Sequence, residues 1–208
     1  MIHAYHVILP AYGFWLPNDP RGSWSDFVGR WELVRFGRTT KALSRHDLSQ
    51  LSEAELAQRE EARRSLKYPA VQFTGVQARS IGAGFADACR HSRYTLWACS
   101  ILPEHTHVVI ARHTYKVEQI VIRLKGASTR QLCHEGLHPL AGFALEGERP
   151  PRMWAEHQWK VFLDSEEAIE EAIHYVEQNP VLEGKGLQTW SFVTRFAGLP
   201  KGGHVTYY

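Results

Sequence analysis

The stretch YTLWACSILPEHTHVVIAR, residues 94–112, decides the fold. Two runs rich in aromatic and β-branched residues, 94–101 and about 105–112, are separated only by a short break at 102–104. This pattern predicts two antiparallel strands joined by a tight turn. Because side chains alternate faces along a strand, His105 and His107 should point to the same side, with origins about 6.5 to 7 Å apart.

Two neutral imidazoles at this spacing can share one metal ion. They suit zinc, manganese, iron or nickel, and with added carboxamide or water oxygens they can hold Mg²⁺ or Mn²⁺. The chain has 12 histidines, however, and a His-x-His pair arises by chance in many histidine-rich chains. The pair alone therefore leaves metal binding and chance both open.

Periodicity in the rest of the chain predicts the remaining elements. They are a first strand at 2–9, a helix at about 52–66, a helix at 74–91, a helix from Lys116 to a stop at Gly136, a strand near 158–163 and a final helix after Asp164. This order fits an α+β fold: a ferredoxin-like βαββαβ antiparallel sheet with helices on one face, plus an extra C-terminal helix.

The final helix carries a second candidate group in EEAIEEAIHYVEQNPV, residues 166–181. Asp164 is predicted to cap it with Glu167 at the third helical position, and Pro180 is predicted to end it at Asn179. Tyr175 and Asn179 are four residues apart and so share one face. They can offer a hydroxyl nucleophile and a metal-binding oxygen. Alternatively, the tyrosine packs on the core and the asparagine caps the helix.

Composition indicates a soluble globular protein. The chain has 208 residues, 44% of them hydrophobic and 22% charged, with a net charge of +2. We expect a single domain over 1–208 with an irregular insertion at about 11–45. The three cysteines do not fit a disulfide framework, which favours a reducing cytoplasm. The sequence has neither a signal-like start nor a long apolar run, so we expect neither secretion nor membrane spanning. Any nucleic-acid surface must be local, because the net charge is small.

Four motifs together resemble the HUH single-tyrosine transposase superfamily, in particular the branch of REP-associated tyrosine transposases. They are PEHTHVVI, LKGASTRQL, QWKVFL preceded by a tryptophan, and YVEQNPV, and the likeness spans roughly residues 94–184. Residues 1–20 would add the first strand and a YG.WLPNDPRGS segment found in some relatives. Thr106 is a mild departure, since the residue between the two histidines is usually bulky and apolar.

The resemblance implies a metal-dependent transposase that cleaves and joins single-stranded or hairpin DNA. Tyr175 would be the catalytic nucleophile, and its product would be a 5′-phosphotyrosyl intermediate. His105, His107 and Asn179 would bind a divalent metal, Mg²⁺ or Mn²⁺. The protein would act in the bacterial cytoplasm, associated with the nucleoid during action, as a monomer or a homodimer.

DNA binding requires cations and stacking surfaces in addition to this site. Lys116, Arg123 and Arg130 are spaced seven apart and form one stripe on their helix, which can contact phosphates. The further candidates are Lys125, Lys160, Trp154 and Trp159, although core packing is the stronger explanation of the two tryptophans.

Two other readings remain open. One is a domesticated hairpin-DNA-binding protein that no longer transposes, although the presence of all four site residues favours retained chemistry. The other is a zinc-dependent hydrolase of small molecules. That enzyme would need a third strong ligand and a base, for which Glu104 and His113 are the candidates.

Overall fold

The computed structural model describes residues 1–14 and 52–199. The chain divides into two compact units. The first consists of Met1–Ala11 and Gln72–Tyr208, and the second consists of Tyr12–Val71. The second unit contains helix α1 (Glu53–Arg64), which begins at a capping box between Ser52 and Glu55. The predicted insertion at about 11–45 lies almost wholly outside the described residues, and the single domain stays a prediction. None of the helices in the described part of the chain combines the length and hydropathy of a membrane span.

A four-stranded antiparallel sheet forms the centre of the first unit. Its strands are β1 (Ala4–Pro10), β2 (Leu96–Ile101), β3 (His105–Ala111) and β4 (Trp159–Leu163), in the order β2-β3-β1-β4. The helices of this unit are α2 (Gly75–Ser92), α3 (Val117–His134) and α4 (Glu166–Leu182), with a short 3-10 helix at Ala141–Phe143. The predicted α+β fold, with its βαββαβ order and additional C-terminal helix, is confirmed.

The two faces of the sheet are covered by different helices. Val109 of β3 and Ala4 of β1 lie on one face, where they pack with Ile169 and Val176 of α4. Helices α2 and α3 pack against each other, and α2 also contacts β2. Because strand side chains alternate, the buried Thr106, Val108 and Ile110 point away from α4, towards the layer formed by α2 and α3. Both faces of the sheet are therefore covered by helices, which explains why all of β3 is buried.

A close crossing of α2 and α3 gives the first testable prediction. A Cβ atom built on Gly84 would lie 2.5 Å from the Cα of Ser128, whereas one on Gly126 would meet only the tip of Arg130, at 3.4 Å. Gly84→Ala should therefore lower the free energy of unfolding by about 1 to 3 kcal/mol, measured by urea denaturation. Gly126→Ala, the matched control, should raise it by up to about 1 kcal/mol. Equal effects of the two substitutions would show that the helices do not cross this closely.

Helix α4 differs from the prediction at both ends. Its cap is Ser165 and not Asp164, because Ser165 has the extended backbone and its Oγ accepts a hydrogen bond from the backbone N–H of Ala168. The helix also continues past Pro180 to Leu182. A proline so near the end removes only one backbone hydrogen bond, and the last turn closes when Glu183 donates its N–H to the carbonyl of Asn179. Asn179 thus lies inside the helix and does not cap it.

The C-terminal segment covers the outer edge of β2. The side-chain amide of Gln188 donates to the carbonyl of Ile101 and accepts from its N–H, both at 2.8 Å. Further along, Thr194 donates its N–H to the carbonyl of Leu96, and Val193 forms a parallel bridge with the same residue. These contacts satisfy backbone groups that an edge strand otherwise leaves open.

Candidate functional site

Helix α4 packs directly over the histidine pair. Ile169, Ala172 and Val176 form its buried side and contact the sheet face that includes Val109. Tyr175 is adjacent to this apolar side, and its ring centroid is 5.6 Å from that of His107. Residues 68 apart in sequence are thereby brought into contact. The packing of α4, rather than either motif alone, creates the candidate site.

His105 and His107 lie on one face of β3, as the strand alternation predicts. Their side chains are buried, and their ring centroids are 4.8 Å apart with the planes nearly perpendicular. Buried imidazoles lose contact with water, so each polar nitrogen must be satisfied by protein groups or by a ligand. This arrangement is suited to two nitrogen ligands that converge on one ion.

Asn179 lies between two residues near the C-terminal end of α4 that approach these histidines. On α4, Tyr175, Asn179 and Glu183 follow each other at four-residue intervals and share one face. Tyr175 contacts His107, while a carboxylate oxygen of Glu183 is 3.8 Å from Nε2 of His105. Asn179 therefore belongs to the helix face that approaches the pair.

The side chain of Asn179 is buried, and its amide nitrogen has no hydrogen-bond partner among the described residues. The residue is only 5% exposed. Such a buried orphan group costs about 1 to 3 kcal/mol. Rotation by half a turn exchanges the amide nitrogen and oxygen, so the same position can present an oxygen to a cation.

A carboxamide is the further ligand type that Asn179 could add to the two histidines. Within residues 1–14 and 52–199, no group of three or more histidine, cysteine, aspartate or glutamate side chains is arranged to hold a metal. A third protein ligand beside the two histidines would therefore have to be of another type, such as the carboxamide of Asn179. Two imidazoles with a carboxamide and water oxygens match the preferences of Mn²⁺ and Mg²⁺.

Two residues of the site were not predicted from the sequence. His6 of β1 lies beside His107, with Nε2 3.0 Å from Nδ1 of His107, and its ring centroid is 5.7 Å from that of Tyr175. Burial lowers the pKa of His6 to about 4, so its imidazole is neutral at neutral pH. Glu183 was missed because Pro180 was expected to end the helix before it. The four-residue spacing from Asn179 was the available signal.

The predicted cationic stripe lies on the other side of the sheet. Lys116, Arg123 and Arg130 are all exposed along α3, as predicted. The guanidinium of Arg123 stacks on the ring of Tyr115 at 4.5 Å and donates to Oγ of Ser92 at 3.2 Å. Because α3 belongs to the layer opposite α4, DNA that reaches both the stripe and the histidines must pass around a sheet edge.

The other predicted DNA-binding residues have protein partners. The amine of Lys125 donates to the carbonyls of Ala155 and His157, at 2.8 and 3.1 Å, and burial lowers its pKa to about 8. Lys160 forms an ion pair with Glu118. For these two lysines to bind phosphate, DNA would have to displace those partners.

The two candidate tryptophans lie in different surroundings. Trp154 is 5% exposed and donates from Nε1 to Oγ of Ser128, which matches its alternative reading as a core residue. Trp159 is half-buried, with its ring edge-on to that of His6 and the centroids 6.0 Å apart. Of the two, Trp159 thus lies next to the candidate site.

Glu104 and His113, the candidates for the third ligand and the base of a hydrolase, lie at opposite ends of β3. Glu104 precedes His105, and its carboxylate accepts a hydrogen bond from Gln72 at 3.0 Å. His113 follows the opposite end of β3, where its ring stacks on Tyr115. This arrangement leaves Glu104 as the candidate near the histidine pair.

Comparisons with known proteins were made at the levels of sequence and structure. Neither a protein-family model nor a curated protein matches the sequence. The structure is similar to a REP-associated tyrosine transposase bound to a REP hairpin, with a TM-score of 0.45 and 11% identity over 88% of this chain and 68% of that chain. It is also similar to a Deinococcus radiodurans protein provisionally described as a transposase, with a TM-score of 0.40 and 11% identity over 90% and 94% of the two chains.

Both neighbours are described as transposases, the class of protein that the sequence motifs resemble. At such low TM-scores and identities the likeness carries no weight for chemistry. Function is therefore argued from the side chains of the site.

Proposed function

We propose that this chain is a metal-dependent endonuclease and strand transferase of single-stranded DNA, with Tyr175 as its nucleophile. The observation that carries the proposal is the packing of α4 on β3, which brings Tyr175 against His107, while Asn179, one helical turn further on, is buried with an unpartnered amide nitrogen. A phenol beside a three-ligand cation site is an arrangement suited to attack on a phosphodiester.

His105, His107 and Asn179 would hold the cation, Mg²⁺ or Mn²⁺. The chemistry that such an ion supplies is Lewis-acid polarisation of a phosphoryl oxygen. The chain itself positions the nucleophile, because the Tyr175 ring is held by edge-on contacts with the imidazoles of His6 and His107. The apolar packing of α4 restricts the motion of this ring and excludes water from its inner side.

The reaction proceeds in two exchanges at phosphorus. The hydroxyl oxygen of Tyr175 attacks the scissile phosphorus and loses its proton, while the bond to the upstream 3′-oxygen breaks and that oxygen leaves as a 3′-hydroxyl. The protein is then linked to the 5′-phosphate of the downstream strand. A 3′-hydroxyl attacks this phosphotyrosine in the second exchange, which joins the strands and restores the phenol without any external energy source.

The proposal is tested by incubation of the protein with labelled single-stranded hairpin DNA and Mn²⁺, followed by denaturing electrophoresis. We expect a covalent protein–DNA adduct that requires the metal and that disappears in His105→Ala. Tight stoichiometric zinc without any adduct would instead support the hydrolase, and metal-independent hairpin binding without an adduct would support a domesticated binding protein.

The exposed stripe on α3 gives a separate prediction about DNA affinity. Replacement of Lys116, Arg123 and Arg130 together by glutamine should reduce the slope of log affinity against log salt by about 2 to 3, because up to three phosphate contacts are lost. Fluorescence anisotropy at several salt concentrations measures this slope. Arg90→Gln, which removes an exposed cation of α2 that is paired with Asp87, is the control. An unchanged slope in the triple variant would remove the stripe from the DNA-binding surface.

A further inference from the structure

The direction of the hydrogen bond between His6 and His107 is coupled to which nitrogen of His107 carries a proton. Nε2 of His6 and Nδ1 of His107 are 3.0 Å apart, and both side chains are buried. Two neutral imidazoles can share only one hydrogen at such a contact, so one ring donates and the other accepts. The two arrangements have opposite consequences for His107.

Only one of these arrangements leaves His107 able to bind a metal. If Nδ1 of His107 donates, its Nε2 is unprotonated and its lone pair is chemically able to coordinate a cation. If Nδ1 accepts, the hydrogen of His107 is on Nε2 and blocks coordination there. Histidine ligands of metals usually donate their second N–H to a nearby acceptor, which fixes both tautomer and ring orientation.

We propose that His6 is a positioning residue, whose Nε2 accepts a hydrogen bond from Nδ1 of His107 and thereby holds Nε2 of His107 unprotonated for the cation. This inference rests on the proposed function, because it assigns His107 to the metal. His6 is not itself placed among the ligands.

The strand register explains why His6 reaches this position. Ile8 of β1 is paired with His107, and His6 is paired with Val109, so His6 is the diagonal neighbour of His107 on the same face. The rings lie at an interplanar angle of 30° with centroids 5.2 Å apart. Tyr175 contacts both rings, so His6 orients one ligand and also forms part of the wall around the nucleophile.

The competing explanation is that His6 only fills space between His107 and Tyr175. Two substitutions separate the explanations. His6→Phe keeps an aromatic ring but removes the acceptor, and His6→Gln places an amide oxygen near the position of Nε2. Tyr5→Phe, one residue away on the opposite face of β1, is the control. Urea denaturation of each variant checks that it folds.

The decisive measurement is the tautomer of His107 in metal-free protein. Long-range ¹⁵N–¹H NMR of histidine-labelled protein distinguishes the two tautomers, and the signals of His107 are those absent from His107→Ala. We expect the Nδ1–H form in the wild type, its loss in His6→Phe and its recovery in His6→Gln. A wild-type His107 in the Nε2–H form would overturn the inference.

Metal affinity supplies the second readout. Calorimetric titration with Mn²⁺ should show affinity reduced by about 10- to 100-fold in His6→Phe, the usual effect of losing such a partner, and largely restored in His6→Gln. Affinity equal to wild type in a folded His6→Phe protein would contradict the inference. The adduct assay tests the proposed function separately. If wild-type protein shows the expected His107 tautomer but forms no covalent adduct with DNA, the proposed function fails while the role of His6 stands.

Discussion

Tyr175→Phe should reduce covalent adduct formation by at least about a thousandfold, because the substitution removes the attacking oxygen and nothing else. The phenylalanine ring keeps the edge-on contacts with His6 and His107 and the packing beside Val176. The variant should therefore fold like the wild type, and its affinities for Mn²⁺ and hairpin DNA should stay within about twofold to threefold of the wild-type values. A change of that size corresponds to about 0.5 kcal/mol, the usual range of neutral substitutions. Denaturing electrophoresis measures adduct formation, and fluorescence anisotropy measures hairpin-DNA affinity on the same preparation.

Tyr115→Phe is the matched control for this prediction. Tyr115 is an exposed tyrosine that stacks under Arg123 at the far end of β3 from His105. We expect normal adduct formation in this variant. If the adduct persisted in Tyr175→Phe and disappeared in Tyr115→Phe, the nucleophile would be assigned wrongly and the site would lie at the other end of the strand.

Asn179→Leu should weaken Mn²⁺ binding by more than about a hundredfold, since loss of even an indirect partner of a metal costs 10- to 100-fold. The same substitution should raise the free energy of unfolding of metal-free protein by about 1 to 3 kcal/mol, because an apolar side chain of similar size removes the buried amide nitrogen that has no hydrogen-bond partner among the described residues. Calorimetric titration and urea denaturation measure these effects. Weaker Mn²⁺ binding together with higher stability is the result expected if Asn179 serves function at a cost in stability.

Asn179→Asp is the companion variant. It retains an oxygen donor and adds negative charge, so Mn²⁺ binding should persist while the metal-free protein becomes less stable through burial of a carboxylate. If Asn179→Leu bound Mn²⁺ as tightly as the wild type, Asn179 would not be a ligand. If it lowered stability, the amide would have a structural partner.

The elements of the fold were predictable because each depends on local patterns. The β2–β3 pair follows from two apolar runs around a three-residue break, and α2 and α3 follow from helical periodicity. The shared face of His105 and His107 also follows from strand alternation alone. Tyr175 and Asn179 on one face of α4 required only the helical repeat. The roles of these four residues remain predictions.

What the sequence could not provide is information about pairing between distant segments. His6 enters the site through the register of β1 on β3, and no local pattern encodes that register. Pro180 misled the prediction of the end of α4, because proline weakens only its own turn when it lies near a helix terminus. The sequence also identified the stripe on α3 but not the side of the sheet on which α3 lies.

The covered edge of β2 has a consequence for self-association. Sheets of two protein copies join most simply through unpaired edge strands, and Gln188 with residues 193–194 already occupies the β2 edge. In the sheet that the structure describes, β4 is the edge left for a second copy. Because Trp159 on β4 lies against His6, two chains joined at this edge would bring their candidate sites near their shared boundary. Dimerisation through β2 would instead require the C-terminal segment to detach first.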